Sequence, residues 1–220
     1  MLKQNPDLIV FLGDLVYGGL YPRECLSLLQ DMKPLIEIKG NSDCRFDGFD
    51  DKGQIFPKDY RDDIHCWIKD QMTDLEIGEI KLFKLQEFFP HKNISFGFFH
   101  GSPVSLSDRI YEDDPPEEII KKFEKTNLTI AAVGHTHVRM HLKTPIIEII
   151  NPGAIGISND GDTRAGYGIL TINKSVQFQQ RNIEYPVERY ASEIELSSMP
   201  YKNMIANQIR TGEPNKSLFR

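Results

Sequence analysis

Four apolar runs in this chain each stop beside a glycine and a ligand-type side chain, and this repeated arrangement constrains the fold more than any other feature. Leu8-Ile9-Val10-Phe11-Leu12 leads into Gly13-Asp14. Pro34-Leu35-Ile36-Glu37-Ile38-Lys39 leads into Gly40-Asn41-Ser42-Asp43. Ile94-Ser95-Phe96-Gly97-Phe98-Phe99 leads into His100-Gly101-Ser102. Leu128-Thr129-Ile130-Ala131-Ala132-Val133 leads into Gly134-His135-Thr136-His137. Short apolar, β-branched runs read as buried strands. Helix-patterned segments separate them, which predicts an α/β protein with a mainly parallel sheet covered on its faces. Functional groups in such sheets gather beyond the carboxyl ends of the strands. Asp14, Asn41, His100, His135 and His137 are therefore expected to converge.

One carboxylate, one amide oxygen and three imidazoles form a recognisable donor set. Imidazole is the commonest transition-metal ligand near neutral pH. The mixture suits Mn, Fe, Co or Zn better than Mg or Ca. A carboxylate has two oxygens and can bridge two ions.

The motifs Gly13-Asp14-Leu15-Val16-Tyr17-Gly18-Gly19, Gly40-Asn41-Ser42-Asp43, Phe99-His100-Gly101-Ser102-Pro103, Gly134-His135-Thr136-His137 and Asn151-Pro152-Gly153-Ala154-Ile155-Gly156 resemble, in order, those of the calcineurin-like metallophosphoesterases. The likeness is strongest to the small bacterial and archaeal phosphodiesterase-like branch, and it covers about residues 5 to 180. It implies a four-layer α/β/β/α sandwich over residues 1–185, followed by a helical extension, 186–220, packing on it. It also implies a dinuclear centre in which Asp14 bridges, Asn41, His100 and His135 complete one site, and His137 serves the other. Asp14, Asn41 and His100 carry the catalytic expectation. The implied activity is metal-dependent hydrolysis of a phosphodiester or small phosphate ester by metal-bound hydroxide. Manganese is the first choice of ion, with Fe, Zn, Co or Ni also accepted. The alternative is a catalytically impaired homologue that binds metal or phosphate.

The chain departs from the family pattern twice. The family opens with a strand ending in Asp-x-His, and no such motif precedes Leu8. Asp63-Ile64-His65 matches in letters but follows an acidic stretch and opens a helix-like segment. The expectation is a sandwich with its first β-strand missing, one tight metal site and a second weak one. A reading frame that begins upstream is favoured over a natural shortening or donors from a dimer mate. Exposed strand edges would then favour a homo-oligomer. The second departure is Ser42, where many family members carry histidine. Serine cannot act as an acid at neutral pH, which argues against rapid phosphomonoester hydrolysis. Asp43 reads either as a support for a ligand or as a solvated turn residue.

A formal net charge of -6 argues against nucleic-acid binding, which needs a basic surface. Three cysteines without a CxxC pair, and no apolar signal core or membrane span, make reduced cytoplasm the default. The acids Asp47, Asp50, Asp51, Asp59, Asp62 and Asp63 read as a solvated loop. Helices are expected over 22–32, from the Thr73-Asp74-Leu75-Glu76 capping box to about Glu87, from Pro115, over 187–193 and over 201–210. Strands are expected over 146–150, 167–172 and 176–185. His65, His91 and His141 read as structural or exposed. Arg164 fits a phosphate or a salt bridge equally well, and Asn151-Pro152-Gly153 is expected to shape the site floor through its backbone.

Overall fold

The computed structural model describes residues 4–214. Its central sheet is five-stranded, in the order β3 (Gln86–His91), β4 (Ile94–Phe99), β5 (Ile130–Ala132), β7 (Glu148–Pro152), β6 (Arg139–Lys143). β4, β5 and β7 run parallel, while β3 and β6 flank them antiparallel. Successive side chains alternate between two buried faces. Phe99, Ala131 and Ile149 pack against Ile119 and Phe123 of α5 (Pro116–Phe123). Phe96, Phe98, Ile130, Ala132 and Ile150 face the other way.

That second face is covered by two separate hairpin-sized pieces. β1 (Val10–Phe11) pairs in parallel with β2 (Ile36–Glu37), and β8 (Ala165–Ile172) pairs antiparallel with β9 (Val176–Ile183). No strand pairing joins the two pieces among the described residues. Ile36 and Ile38 from the first, and Leu170, Ile172, Val176 and Phe178 from the second, share one apolar cluster with the central sheet.

The outer face of β1 meets a helical layer. Phe11 packs against a cluster drawn from α1 (Pro22–Met32), α3 (Tyr60–Lys69), α4 (Asp74–Lys81), α6 (Val187–Leu196) and α7 (Lys202–Thr211). Ala191, Ile194, Ile205, Ala206 and Ile209 belong to this same cluster, so α6 and α7 share a core with α1 and α3. Helices, the split strand layer, the five-stranded sheet and α5 make the four layers of an α/β/β/α sandwich. No described helix is long and apolar enough to cross a membrane.

Three segments differ from expectation. α4 has its capping box, with the Thr73 hydroxyl accepting from Glu76 N–H, but it ends at Lys81 and not near Glu87. Lys84 leaves the helix to pair with Ile38, and residues 86–91 then pair along β4. Strand pairing there outweighs helix propensity, and Pro90 is tolerated because β3 lies at an edge. β6 escapes notice because Arg139, His141 and Lys143 interrupt its apolar pattern. The acidic stretch is bonded structure, not a solvated loop: Asp59 caps α3 with Asp62 in a capping box, Asp47 pairs with Lys39 at 2.7 Å, and Asp51 accepts from Leu106 N–H at 2.7 Å.

The shared helical core predicts one cooperative unit. Ile205→Ala is expected to cost about 2–5 kcal/mol, as truncations of buried isoleucine do, and to lower the urea midpoint of a single transition. A separate transition for α6 and α7 would contradict this.

Candidate metal centre

The site is assembled from turns that the chain holds in unusual backbone conformations. Gly13, at φ 96°, and Asp14, at φ 58°, follow β1, while His135 (φ 63°) and His137 (φ 58°) follow β5. Positive φ is costly for side chains other than glycine and collects at functional sites. Gly40 answers a different demand, because a Cβ there would overlap the Asp14 carboxylate.

Asp43 ties these turns together. It is fully buried, and its carboxylate accepts N–H bonds from Gly40 (2.8 Å), Asp14 (2.9 Å) and Leu15 (3.0 Å). Burial, then the neighbouring Asp14 charge, pushes its carboxyl up to about 7. Of the two readings open for Asp43, the buried support is the one observed.

Asp14 is oriented by the same motif. The Ser42 N–H donates to its Oδ1 at 2.9 Å, leaving Oδ2 toward His100 Nε2 at 3.4 Å and His137 Nε2 at 3.7 Å. His100 Nδ1 donates to the Leu12 carbonyl at 2.8 Å, and His137 Nδ1 to that of Ile157 at 2.6 Å. A carbonyl only accepts, so both Nδ1 atoms carry protons, and each Nε2 of a neutral ring presents a lone pair. Asn41 opens the short helix α2 (Asn41–Cys44), with its Oδ1 at 3.0 Å from His100 Nε2 and 2.7 Å from His135 Nδ1. His135 Nδ1 and His100 Nε2 are 3.3 Å apart.

Asp14, His100 and His135 thus place one donor atom each within 4.8 Å of one another. Acceptor lone pairs at this range repel unless a proton or a cation sits among them. Burial disfavours ionised Asp14, but His100 and then His137 override it and hold the carboxyl well below its usual range. Burial likewise disfavours a charged His100, yet Asp14 raises it. Burial, and then the neighbouring His100, push His135 down to about 3. A carboxylate, an amide oxygen and imidazoles oriented from behind fit a divalent ion.

The five expected residues therefore come to one place, with His137 outside the three-donor group. His65, His91 and His141 stay away: His141 pairs with Glu148, and His65 and His91 lie against Phe46 and Phe89. Arg164 is bound to Asp162 in a salt bridge. Asn151 acts through its side chain, where backbone shaping was expected. Its Nδ2 donates to the Gly134 carbonyl (2.7 Å) and the Thr136 hydroxyl (3.0 Å), bracing the His-Thr-His turn from β7. Asn159 Nδ2 donates to the Thr136 carbonyl at 2.9 Å, and Gln208 Nε2 on α7 donates to Asn159 Oδ1 at 2.8 Å. Asn151 carried a signal, a polar residue directly after Ile149-Ile150. Asn159 and Gln208 carried none.

Asp43→Ala is expected to leave the Gly40, Asp14 and Leu15 N–H groups without their acceptor and to cost about 3 kcal/mol or more in urea unfolding. Wild-type stability within about 1 kcal/mol would contradict the bracing role. His65 gives a pH prediction remote from the donors. Burial, then Arg45 and Lys69, pushes its imidazole down to about 4. The unfolded chain binds that proton near pH 6.5 and the folded chain only near pH 4, so stability is full above about pH 6.5 and falls through that window. The wild-type urea midpoint should drop more between about pH 7 and about pH 4.5 than that of His65→Gln. Equal drops would contradict the assignment.

The chain is similar to several known proteins. An uncharacterized protein of Methanocaldococcus jannaschii is 25% identical, with 87% of this chain and 82% of that one covered. A hypothetical protein of Pyrococcus horikoshii OT3 superposes with a TM-score of 0.81 at 16% identity, covering 97% of this chain and 90% of that one. A metallophosphoesterase of Sphaerobacter thermophilus does so with a TM-score of 0.75 at 22% identity, covering 94% and 89%. At these identities the structures attest the shared fold. The model of the calcineurin-like phosphoesterase superfamily domain matches residues 1–175, most of the chain, and the protein belongs to that superfamily.

Proposed function

We propose that this chain is a metal-dependent phosphoesterase acting on a phosphodiester or similar small phosphate ester. The observation that carries the reading is the convergence of Asp14, Asn41, His100 and His135 on one point, with Asp14 and His100 held from behind by backbone groups. These four residues would hold one ion, with manganese the first choice, and His137 with a share of Asp14 would hold a weaker second. When bound, a divalent ion supplies a Lewis acid for the phosphoryl oxygens and acidifies the attacking water.

The chain's own groups set what that chemistry acts on. Ser42 fixes Asp14 Oδ1 through its N–H, so Oδ2 is the oxygen turned toward both imidazoles. The Leu12 and Ile157 carbonyls hold the proton on Nδ1 of His100 and His137, keeping both Nε2 atoms free for coordination. Ser42 offers no acid of suitable pKa, so esters whose alcohol leaves without a proton should react fastest. One observation favours a second reading, a chain that binds metal and phosphate without turnover: His137 stands outside the three-donor group.

Hydrolysis of bis-p-nitrophenyl phosphate, stimulated by Mn, separates the two readings. Asp14→Ala should lower kcat/KM by more than the about 100-fold that loss of a supporting partner costs. No turnover with any divalent ion would favour the binding reading. Metal titration should show one tight equivalent, and two equally tight ones would overturn the uneven centre.

A further inference from the structure

The His135-Thr136-His137 turn is anchored at its two ends by different parts of the chain. Toward His135, Asn151 Nδ2 holds the Gly134 carbonyl at 2.7 Å and the Thr136 hydroxyl at 3.0 Å. Toward His137 the partner is the loop 157–161. His137 Nδ1 donates to the Ile157 carbonyl at 2.6 Å, Asn159 N–H donates to the His137 carbonyl at 3.1 Å, and Asn159 Nδ2 donates to the Thr136 carbonyl at 2.9 Å. This loop therefore fixes both the backbone of His137 and the direction of its ring, whose Nε2 stands 3.7 Å from Asp14 Oδ2.

The loop is in turn tied to the end of α7 at two points. Gln208 Nε2 donates to Asn159 Oδ1 at 2.8 Å, and Gly161 N–H donates to the carbonyl of Gly212, the residue that caps α7, at 2.8 Å. Gln208 is the more telling of the two. It is 6% exposed, and it shares the buried side of α7 with Ile205, Ala206 and Ile209. An apolar residue would stabilise that side more simply, because a buried amide is costly unless its hydrogen bonds are made. The bond that Gln208 makes goes to Asn159, the residue that holds two carbonyls of the histidine turn.

We propose that Gln208 is a positioning residue for His137: through Asn159 it keeps that imidazole aimed at the second ion position, so that α7 sets the affinity of the second ion separately from the first. The donors of the first ion do not depend on this link. Asp14 is oriented by the Ser42 N–H, His100 by the Leu12 carbonyl, and the His135 end of the turn by Asn151. The inference rests on the metal reading for the ion itself, and it adds which part of the chain controls it.

Gln208→Met and Gln208→Leu both remove the donor, and Met also keeps the length of the side chain. Nitrogen-15 NMR of the metal-free chain reads the orientation without turnover. The His137 Nδ1–H signal, held by the Ile157 carbonyl, should broaden into exchange with water in both variants, while the His100 Nδ1–H signal persists. Manganese titration of the full chain should show the weaker equivalent loosened by about tenfold, the low end of what losing a partner behind a ligand costs, and the tight equivalent within about twofold of wild type. Ile209→Val controls for the stability of α7: it trims an apolar neighbour on the same side of the helix, should lower the urea midpoint, and should leave the His137 signal and the second equivalent as in wild type. An unchanged His137 signal and an unchanged second equivalent in Gln208→Met would overturn the positioning role and leave the metal reading standing. Equal loosening of both ions, or the same loosening in Ile209→Val, would also overturn it, because the effect would then be one of general stability. A wild-type chain that binds no manganese would sink the metal reading, and the His137 signal alone would then decide the positioning role, which stands if the signal is lost in Gln208→Met and falls if it is unchanged.

Discussion

The buried carboxylate of Asp43 is the contact on which the site depends. Three N–H groups from two separate turns end on it, so the ends of β1 and β2 are fixed relative to each other by one side chain. The turn it stabilises carries Asp14 at positive φ, a conformation that its own backbone disfavours. A buried carboxylate is costly unless its lone pairs are filled, and here backbone donors fill them. Strain at Asp14 and desolvation at Asp43 are thus each tolerated because of the other.

The imidazole side is built differently. The His135-Thr136-His137 turn is held from outside by amides: Asn151 at the end of β7 bonds to its start, and Asn159 bonds to its middle. Gln208 fixes Asn159 in turn. The two halves of the donor set therefore lean on different layers, the first on the β1–β2 piece and the second on β7 and the helical layer.

Much of this was legible from residue order alone. The four apolar runs, each ending beside a ligand-type residue, point to the strands and to the five side chains that converge, because a buried strand and a tight turn leave strong local signals. Asn159 and Gln208 left none: an amide that braces a loop from elsewhere in the chain looks like any surface amide. β3 and β6 were obscured for a related reason, since their pairing partners, not their own composition, make them strands. Helix propensity continues past Lys81, where the chain instead pairs beside β2 and along β4. The acidic run gives no sign of its partners, because bonded aspartates and solvated ones are identical in a sequence.

The bond from Gln208 to Asn159 also bears on how the protein comes into being. Chains emerge from the ribosome amino end first, and domains generally fold as units. The hydrogen bonds that Asp43 gives the Asp14 turn are local in sequence, whereas full bracing of the histidine turn draws on Gln208 of α7. Full bracing of the site therefore joins residues as far apart in the chain as Asp14 and Gln208.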